Sequence, residues 1–419
     1  MNKDTQITEL ARKANQAGRL LARAGDGQKR DFLARVAGIL RQEEQQITRA
    51  NAADLEAAEA AGLDAARIDR LRLTPEVIED MAAACAEVAA LKDPVGEIEK
   101  MNKLANGLQV GRMRIPLGVV AIIYESRPNV TIDAAILCLK AGNAVVLRGG
   151  SEAFNSNKCL AGLLNRALED AGLPGNAVAF IPTTDRSAVD EMLGLDQYID
   201  VVIPRGGEGL IRAVVDKATM PVLKHYKGVC HIYVHRDADM EMALNIVRNA
   251  KVQRPGVCNA LECLLVHREA AEEFLPRLKD HLAGDGVRFK ACPKSLPLLG
   301  ESAKPAEDSD WGREFLSLDM AVRVVDSQEE AVRHIQDYGS NHSEAIITTD
   351  YSRAMRFVQE VDASAVLVNA STRFNDGGQF GLGAEIGIST SKIHAYGPMG
   401  VRELTGSKFV VFGQGQIRG

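Results

Sequence analysis

The sequence predicts an α/β protein built on parallel, doubly wound sheets. From about residue 118 to residue 368, short apolar runs rich in Val and Ile alternate with segments of helical periodicity. This pattern is typical of strands that are buried on both faces between covering helices. The chain has 419 residues, which is too long for one small core, so two domains are expected. Aromatic residues make up only 5% of the chain and 37 residues are Gly, which suits an Ala/Val/Gly-rich α/β protein.

The first hundred residues have the periodicity of helices that serve as scaffold. Apolar residues recur at helical spacing in two runs, which are Ile7, Leu10, Ala14, Ala17 and Leu21, then Phe32, Val36, Ile39 and Leu40. A further helix is predicted to begin at Thr74-Pro75, because Thr caps a helix and Pro suits its first position. It is predicted to end before Asp93-Pro94. We interpret this region as structural.

From about residue 107 the pattern changes to alternating strands and helices. Residues 108–115 alternate like an edge strand or a hairpin arm and are polar enough to protrude. A first α/β series follows, with strands at 118–124, 144–148, 177–181 and 199–203 and helices at 130–141, 153–171, 185–194 and 207–218. Sheets of this kind bind nucleotides at the carboxyl ends of their strands.

A second α/β series occupies the C-terminal half. Its predicted strands are 231–235, 261–267, 321–325, 344–348 and 365–368, and its predicted helices are 238–250, 268–283, 327–337 and 350–361. The segment 285–315 holds the only tryptophan, Trp311, and is expected to be irregular. The tail from Asn369 is rich in Gly and closes with a strand-like run at 408–412.

Composition and charge exclude several classes of function. The formal charge of −6 offers no basic surface for nucleic acid. The seven cysteines are scattered and form no Cys-x-x-Cys pair, so neither a disulfide framework nor a zinc site is indicated, and no metal is expected. The N-terminus lacks an apolar signal core and no apolar run is long enough to span a bilayer. These features predict a reduced, cytoplasmic protein that has no contact with a membrane.

One cysteine occupies a position suited to nucleophilic catalysis. Cys258 follows a Pro255-Gly256 turn and precedes the strand predicted from Leu261, so its thiol lies on a tight, sterically open turn. A thiolate in such a place can reach a substrate carbonyl. Because most cysteines are small, buried hydrophobic residues, this position alone leaves a structural role open.

Two strand ends carry candidate cofactor ligands. Gly206 and Gly207 lie between a strand and a helix, where main-chain amides suit a pyrophosphate, although a Gly-rich turn without a ligand has the same signature. Arg148 ends another strand and is a candidate ligand for a ribose 2′-phosphate, which favours NADP(H) over NAD(H). A surface ion pair is the alternative role for Arg148.

Three polar residues are candidates for contacts with the substrate. Asn129 lies just before a predicted helix, and its amide N–H could donate to a developing oxyanion. The role of a simple helix N-cap fits the same position equally well. Arg127 and Arg254 are candidate ligands for a substrate phosphate or carboxylate, on the basis of charge alone.

Several motifs occur in the order found in the aldehyde dehydrogenase superfamily. They are Pro116-Leu-Gly118, Ala141-Gly-Asn-Ala-Val-Val146, Gly172-Leu-Pro-Gly175, Asp237-Ala-Asp239 and the turn around Cys258. Within the superfamily, the chain resembles the γ-glutamyl phosphate reductase family, also called the glutamate-5-semialdehyde dehydrogenases. This closer resemblance is carried by residues 325–346, by Phe380-Gly-Leu-Gly-Ala-Glu-Ile-Gly-Ile-Ser-Thr390 and by Gly397-Pro-Met-Gly400. It extends from about residue 10 to the C-terminus.

The resemblance implies a Rossmann-type cofactor domain, an α/β catalytic domain and a small oligomerisation hairpin. We expect residues 1–102 and 117–227 to form the cofactor domain, residues 228–400 the catalytic domain, and residues 103–116 and 401–419 the oligomerisation segments. The resemblance also implies that Cys258 is the nucleophile and that Glu314 lies near the nicotinamide ribose.

The implied reaction is the NADPH-dependent reduction of L-glutamyl 5-phosphate to L-glutamate 5-semialdehyde in proline biosynthesis. The expected partners are further copies of the chain and, because the acyl phosphate is labile, glutamate 5-kinase.

The sequence departs from the wider superfamily at position 225. Hydrolytic members have a glutamate that activates water against the thioester, whereas counting back from Asp237 places His225 there. An enzyme whose thioester reacts with hydride or phosphate gains from the lack of that base, and His225 becomes a candidate substrate ligand. Two alternatives remain. An aldehyde dehydrogenase that oxidises another substrate is disfavoured by the missing glutamate, and a nucleotide-binding scaffold without chemistry is disfavoured by Cys258.

Overall fold

A computed structural model describes residues 5–418 of the chain. Its helices are α1 (Gln6–Leu21), α2 (Asp26–Gln42), α3 (Glu44–Ala60), α4 (Ala65–Leu71), α5 (Pro75–Ala90), α6 (Val130–Lys140), α7 (Phe154–Asp170), α8 (Ser187–Leu193), α9 (Glu208–Lys217), α10 (Met240–Val252), α11 (Arg268–His281), α12 (Leu296–Leu299), α13 (Gln328–Tyr338) and α14 (Tyr351–Glu360). Its strands are β1 (Ile98–Lys103), β2 (Gln109–Pro116), β3 (Val119–Tyr124), β4 (Ala144–Gly149), β5 (Val178–Phe180), β6 (Val201–Arg205), β7 (Cys230–Val234), β8 (Leu261–His267), β9 (Arg288–Ala291), β10 (Ala303–Pro305), β11 (Asp319–Val325), β12 (Ser343–Ile347), β13 (Ala365–Val368), β14 (Ile388–Ser389), β15 (Gly397–Pro398) and β16 (Thr405–Phe412).

The chain forms two compact units. The first contains residues 5–224, 381–387 and 399–418 of the described range, and the second contains residues 225–380 and 388–398. No helix within residues 5–418 is long and apolar enough to cross a membrane. The roles predicted for the domains stay predictions, because this division reports compactness and not function.

The first unit is built on helices and a four-stranded parallel sheet. The predicted cap of α5 is confirmed, because Thr74 Oγ1 accepts a hydrogen bond from the Val77 amide at 3.3 Å and Pro75 opens the helix. The sheet order is β5-β4-β3-β6, with every pair parallel. All residues of β3 and β4 are buried, which explains why their apolar runs were recognisable in the sequence.

A separate three-stranded antiparallel sheet joins distant parts of the first unit, in the order β1-β2-β16. The strand predicted at 108–115 is observed as β2, where it is an arm of the hairpin with β1, but its predicted edge position was wrong because β2 is the central strand. The strand predicted at 408–412 is confirmed as part of β16. The first strand, β1, corrects the interpretation of the first hundred residues as helices alone. All six of its residues are exposed, so no apolar alternation marks it in the sequence.

The second unit is built on a seven-stranded parallel sheet, in the order β10-β9-β11-β8-β7-β12-β13. The expectation that 285–315 is irregular was wrong in part, because this segment supplies β9, α12 and β10 at one edge of the sheet. The neighbouring strands β8, β7 and β12 are buried along their whole length. Because they are parallel, the segments that precede them emerge at the same edge of the sheet.

Candidate active site

The turn that carries Cys258 links α10 to the amino end of β8, as predicted. Its main chain closes through a hydrogen bond from the Ala260 amide to the Val257 carbonyl at 3.1 Å, with Cys258 and Asn259 at the centre of the turn. The thiol is half-buried. Within residues 5–418, no hydrogen bond engages the main-chain N–H of Cys258. A nucleophile and a main-chain donor therefore lie on one residue.

A buried ion pair holds both ends of this turn. Lys251 lies in the last turn of α10 and Glu262 lies in β8, and both are fully buried. Lys251 Nζ donates to Glu262 Oε2 at 2.7 Å and to the Leu261 carbonyl at 2.8 Å, while Glu262 Oε1 accepts from the Leu316 amide at 3.1 Å. Burial raises the pKa of Glu262 to about 7 and lowers the pKa of Lys251. The pair fixes the span within which Cys258 is held.

Gly228, just before β7, packs directly against the Cys258 main chain. A Cβ atom at position 228 would lie 2.6 Å from the Cys258 carbonyl carbon and 2.7 Å from its Cα, and closer still to its carbonyl oxygen. The Gly228 amide donates to Glu314 Oε1 at 2.8 Å. Glu314, predicted to lie near the nicotinamide ribose, therefore binds a residue that is in direct contact with the Cys258 turn.

Two histidines lie beside the Cys258 thiol. The Cys258 sulfur and one ring nitrogen from each of His225 and His342 lie within 4.8 Å of one another. The imidazole rings meet edge to face, with their centroids 5.5 Å apart. His225 is half-buried, whereas His342 is fully buried, and burial lowers the pKa of His342 to about 4. The predicted proximity of His225 to the nucleophile is thus observed, and no carboxylate takes the place of its imidazole.

Two arginines, Arg373 and Arg254, lie near the turn. Arg373 donates to Asn259 Oδ1, and Asn259 Nδ2 in turn donates to the Asn375 carbonyl at 3.0 Å. Burial lowers the pKa of the Arg373 guanidinium, and the nearby positive charge of Arg254 lowers it further. Arg254, which is exposed, is therefore one of two neighbouring cations. Two such cations form a site of positive potential for an anionic substrate group.

In the first unit, a cavity of about 510 Å³ opens at the carboxyl ends of β3 and β4. Arg148 lines it and is buried, and it donates to the carbonyls of Gly149 and, at 3.1 Å, Thr184. This is not the arrangement of a surface ion pair. Arg148 Nε is buried without a hydrogen-bond partner among the described residues. Two further cations, Arg186 and Lys217, line the same cavity.

The Gly-rich turn predicted to hold a pyrophosphate is bonded to a carboxylate. Gly207 is the N-cap of α9, and its amide donates to Glu125 Oε2 at 3.0 Å. A Cβ atom at Gly206 would lie 2.7 Å from Glu125 Cδ and from Leu210 Cδ2. This amide is therefore already paired with an anion, as expected at the positive end of a helix.

Asn129 does not cap α6 with its side chain. It has helical main-chain angles, and its Nδ2 donates to Asp133 Oδ2 at 3.0 Å. Desolvation raises the pKa of Asp133 to about 6, although the hydrogen bond from Asn129 and the charge of Arg205 oppose the shift. The alternative role of Asn129, a helix cap through its side chain, was therefore wrong. Arg127 lies in the same connection between β3 and α6 and is half-buried.

Comparison with known proteins identifies the family. A model of the aldehyde dehydrogenase family matches residues 1–287. The chain is 63% identical over 418 residues, and over the full length of both chains, to a protein of Nitratidesulfovibrio vulgaris (strain DP4) named γ-glutamyl phosphate reductase. The crystal structure of the γ-glutamyl phosphate reductase of Thermotoga maritima is 47% identical, with a TM-score of 0.96 over 99% of this chain and 100% of that one.

The chain belongs to the γ-glutamyl phosphate reductases of the aldehyde dehydrogenase family. It is therefore an oxidoreductase of the glutamate-5-semialdehyde dehydrogenase type. An acetylating aldehyde dehydrogenase of Geobacillus thermoglucosidasius, 19% identical over 99% of this chain and 98% of that one, shares the fold with a TM-score of 0.73.

The γ-glutamyl phosphate reductase family implies a nicotinamide cofactor, and the residues of the first unit fit one. The cavity lies where nucleotides bind on open parallel sheets, at the carboxyl ends of the strands. The buried Nε–H of Arg148 has no acceptor among the described residues, and an anionic phosphate would supply one.

The sequence reasoning missed several residues of these two sites. They are Gly228, His342 and Arg373 near the thiol, and Glu125, Arg186 and Lys217 near the cavity. His342 lies inside the family motif at 325–346, which was the only available signal for it. The other five residues lie on segments far apart along the chain, and only the order of the elements in the folded units brings them together.

Proposed function

We propose that this enzyme reduces L-glutamyl 5-phosphate to L-glutamate 5-semialdehyde with NADPH and releases phosphate, the second step of proline biosynthesis from glutamate. The observation that carries the proposal is the half-buried Cys258 thiol with the imidazoles of His225 and His342 beside it. The substrate is taken from the names of the relatives. The site supplies a nucleophile, and His225 stands where hydrolytic members have the glutamate that activates water.

The proposed reaction begins with attack of the Cys258 thiolate on the acyl carbon. The bond between that carbon and the phosphate oxygen breaks, and inorganic phosphate leaves a γ-glutamyl thioester on the sulfur. We assign the Cys258 main-chain N–H as a donor to the oxyanion, and the Asn129 amide stays the candidate from the sequence for a second donor. NADPH, when bound, supplies a hydride to the thioester carbonyl. Collapse of the resulting thiohemiacetal expels the Cys258 thiolate and releases the semialdehyde.

The substrate anions need cationic partners. Arg373 and Arg254 flank the nucleophile turn, and we assign them to the phosphate or the carboxylate of the substrate. Arg127 is retained as a second candidate. Guanidinium groups suit both anions, because their fork of donors matches two oxygens at once.

The nucleophile can be tested by a matched pair of cysteine variants. Cys258→Ala should fold, bind NADPH and lose turnover by several orders of magnitude. Cys263→Ala is the control, because Cys263 is buried in β8 and faces His334. It should retain most activity. Comparable losses in the two variants would remove the assignment of Cys258.

The cofactor assignment rests on Arg148. A charge-assisted hydrogen bond to the 2′-phosphate contributes about 1.5–3 kcal/mol, or roughly 10- to 150-fold in affinity. Arg148→Ala should therefore weaken NADPH much more than NADH, as measured by fluorescence titration. Equal losses for the two nucleotides would show that another residue reads the phosphate. Arg186→Ala is then the next variant to titrate, because Arg186 lines the same cavity.

The proposal that the substrate is an acyl phosphate is tested by running the reaction in the oxidative direction, from the semialdehyde. NADP reduction from glutamate semialdehyde should depend strictly on added phosphate, with arsenate as a substitute of the same charge and shape. A rate without phosphate that approaches the phosphate-saturated rate would contradict the proposal and revive a hydrolytic aldehyde dehydrogenase. His225→Glu should weaken the phosphate dependence and release free glutamate, because a glutamate base typically speeds attack by water about 10²–10⁴-fold.

We also propose that the chain forms a homo-oligomer through the antiparallel sheet β1-β2-β16. Every residue of β1 is exposed, and Phe409 and Val411 of β16 are 66% and 55% exposed. Soluble proteins seldom leave strand edges of this length unpaired. Analytical sedimentation would measure the size of the oligomer.

A further inference from the structure

The thiol of Cys258 and the imidazoles of His225 and His342 bring three metal-ligand atoms within 4.8 Å of one another. We propose that this cluster is an inhibitory binding site for a thiophilic divalent cation, with Zn²⁺ as the ion that its ligands favour. Thiolate and imidazole together are the ligand set that proteins use for zinc. The sequence did not indicate this site, because its three residues are far apart along the chain.

His225 is held in the tautomer that a metal requires. Its Nδ1 lies 2.9 Å from the Ile388 carbonyl oxygen. Because a carbonyl can only accept, Nδ1 carries the hydrogen, and Nε2 is the nitrogen that can present a lone pair to a metal. Histidines that bind metals usually donate their other N–H to such a carbonyl or carboxylate, which fixes the orientation of the ring.

His342 presents a second nitrogen without a competing partner. Its Nδ1 lies 2.8 Å from Ser343 Oγ, which can accept its hydrogen. Its Nε2 is buried and has no hydrogen-bond partner within residues 5–418. A buried nitrogen without a partner is costly, and a bound cation would satisfy it.

The spacing of the three atoms is compatible with one ion. Zn–S and Zn–N bonds of about 2.3 and 2.0–2.1 Å in a tetrahedron place the ligand atoms roughly 3.3–3.6 Å apart. Each atom therefore needs to move by about 1 Å or less from its position in the cluster. Three protein ligands leave the fourth position to water. The ion displaces the thiol proton of Cys258, so one proton is released for each ion bound.

A second cluster of the same composition provides a contrast. His231, Cys263 and His334 also place their ligand atoms within 4.8 Å of one another, and all three are fully buried. Arg323 can only donate, and its Nη1 lies 3.3 Å from His334 Nδ1, so that nitrogen accepts and His334 Nε2 carries the hydrogen. That hydrogen points to Cys263 Sγ at 3.5 Å. The nitrogen facing the sulfur is therefore a donor, and we assign no metal to this cluster.

The consequence for the enzyme is reversible inhibition at the nucleophile. A sulfur that is bonded to Zn²⁺ has its lone pair engaged and cannot attack an acyl carbon. Binding of the ion does not depend on the role of Cys258 in catalysis, whereas inhibition by the ion rests on the proposed function. The two parts can therefore fail separately.

Cobalt titration of the reduced enzyme tests the binding. Co²⁺ in a tetrahedral site with one thiolate gives visible d–d bands and a near-ultraviolet sulfur-to-cobalt charge-transfer band. We expect one equivalent to bind, Zn²⁺ to displace it, and about one proton to be released. Cys258→Ala should abolish the charge-transfer band. Loss of one nitrogen ligand, in His342→Ala or in the less buried His225→Gln, should lower the affinity by at least about tenfold.

Cys263→Ala is the matched control, and its cobalt spectrum should equal that of the unchanged enzyme. No charge-transfer band in the unchanged enzyme, a band that survives in Cys258→Ala, or a band lost in Cys263→Ala would each overturn the site. In the activity assay, Zn²⁺ should inhibit in proportion to its occupancy, and a chelator should restore turnover. Full activity with the ion bound would refute the inhibition while leaving the binding site in place.

Discussion

The contact between Gly228 and the Cys258 turn makes a single methyl group a test of how the nucleophile is positioned. The φ angle of Gly228 is not in the left-handed region, so an alanine at this position is opposed by space and not by main-chain conformation. Its Cβ would lie 2.6 Å from the Cys258 carbonyl carbon and 2.7 Å from Cα. Non-bonded carbon atoms prefer separations of about 3.5–4.0 Å. Gly228→Ala should therefore push the turn away by at least about 1 Å, because the Cys258 carbonyl oxygen lies closer still.

The displacement should cost activity more than it costs stability. Overpacking of this kind typically lowers the free energy of unfolding by about 1–3 kcal/mol. A misplacement of about 1 Å at a reacting atom can reduce the rate about 100-fold. We expect kcat/KM of Gly228→Ala to fall by about that factor while the protein remains folded. The rate of Cys258 alkylation should change as well, because the exposure of the thiol changes with the turn.

Gly284→Ala is the matched control in the same unit, since a Cβ atom there has no heavy atom within 4 Å. It should leave turnover and alkylation unchanged. If Gly228→Ala retains kcat/KM within about threefold, and its crystal structure shows the turn in place, the steric argument is wrong.

Three further predictions concern stability and assembly. Lys251→Met should lower the free energy of unfolding by about 3–5 kcal/mol, because it leaves the Glu262 carboxyl buried without its cationic partner. Adding Glu262→Met should recover much of the loss in denaturant titrations, and no recovery would contradict this account. The pKa of Asp133, about 6, lies above its unfolded value of 3.8, so the folded state holds its proton more tightly and stability is lost as pH rises through about 6. The stability gained by Asp133→Asn over the unchanged protein should therefore grow between pH 4 and 7 by at most about 3 kcal/mol, and a difference independent of pH would refute the shift. Deleting residues 408–419 should shift the sedimentation profile towards smaller species, and a full-length protein that is already monomeric would rule out the oligomer.

The buried strands of both parallel sheets could be predicted from the sequence because burial on both faces demands continuous apolar runs. The strand β8 is the clearest case, since its seven residues are all buried and its predicted bounds are those observed. The strands β9 and β10 could not be predicted in the same way, because runs of four and three residues are too short to show a period. What makes them strands is pairing with β11 and with each other.

The candidate site was predictable only where its residues are close in sequence to a turn signal. Cys258 was found from the turn before its strand, and His225 by counting back from Asp237 to the position where hydrolytic members of the superfamily have a glutamate. His342 and Arg373 reach the thiol because β12 lies beside β7 and because the segment after β13 returns to Asn259. Strand order is a property of the assembled sheet, and no local pattern encodes it. The bond between Asn129 and Asp133 was likewise not visible, because the same spacing suits a helix cap.

The pairing of β2 with β16 has a consequence for the order of events during synthesis. The two strands are separated by the whole second unit and by residues 117–224 of the first, so β2 emerges from the ribosome long before its partner. At roughly 5–20 residues per second, the wait lasts on the order of 15–60 seconds. During that time the second unit can fold around contacts of its own, whereas β2 exposes an unpaired edge beside β1. The nascent chain is therefore most vulnerable to aggregation through its N-terminal part, and a chaperone that recognises free strand edges would act there, before the last residues are translated.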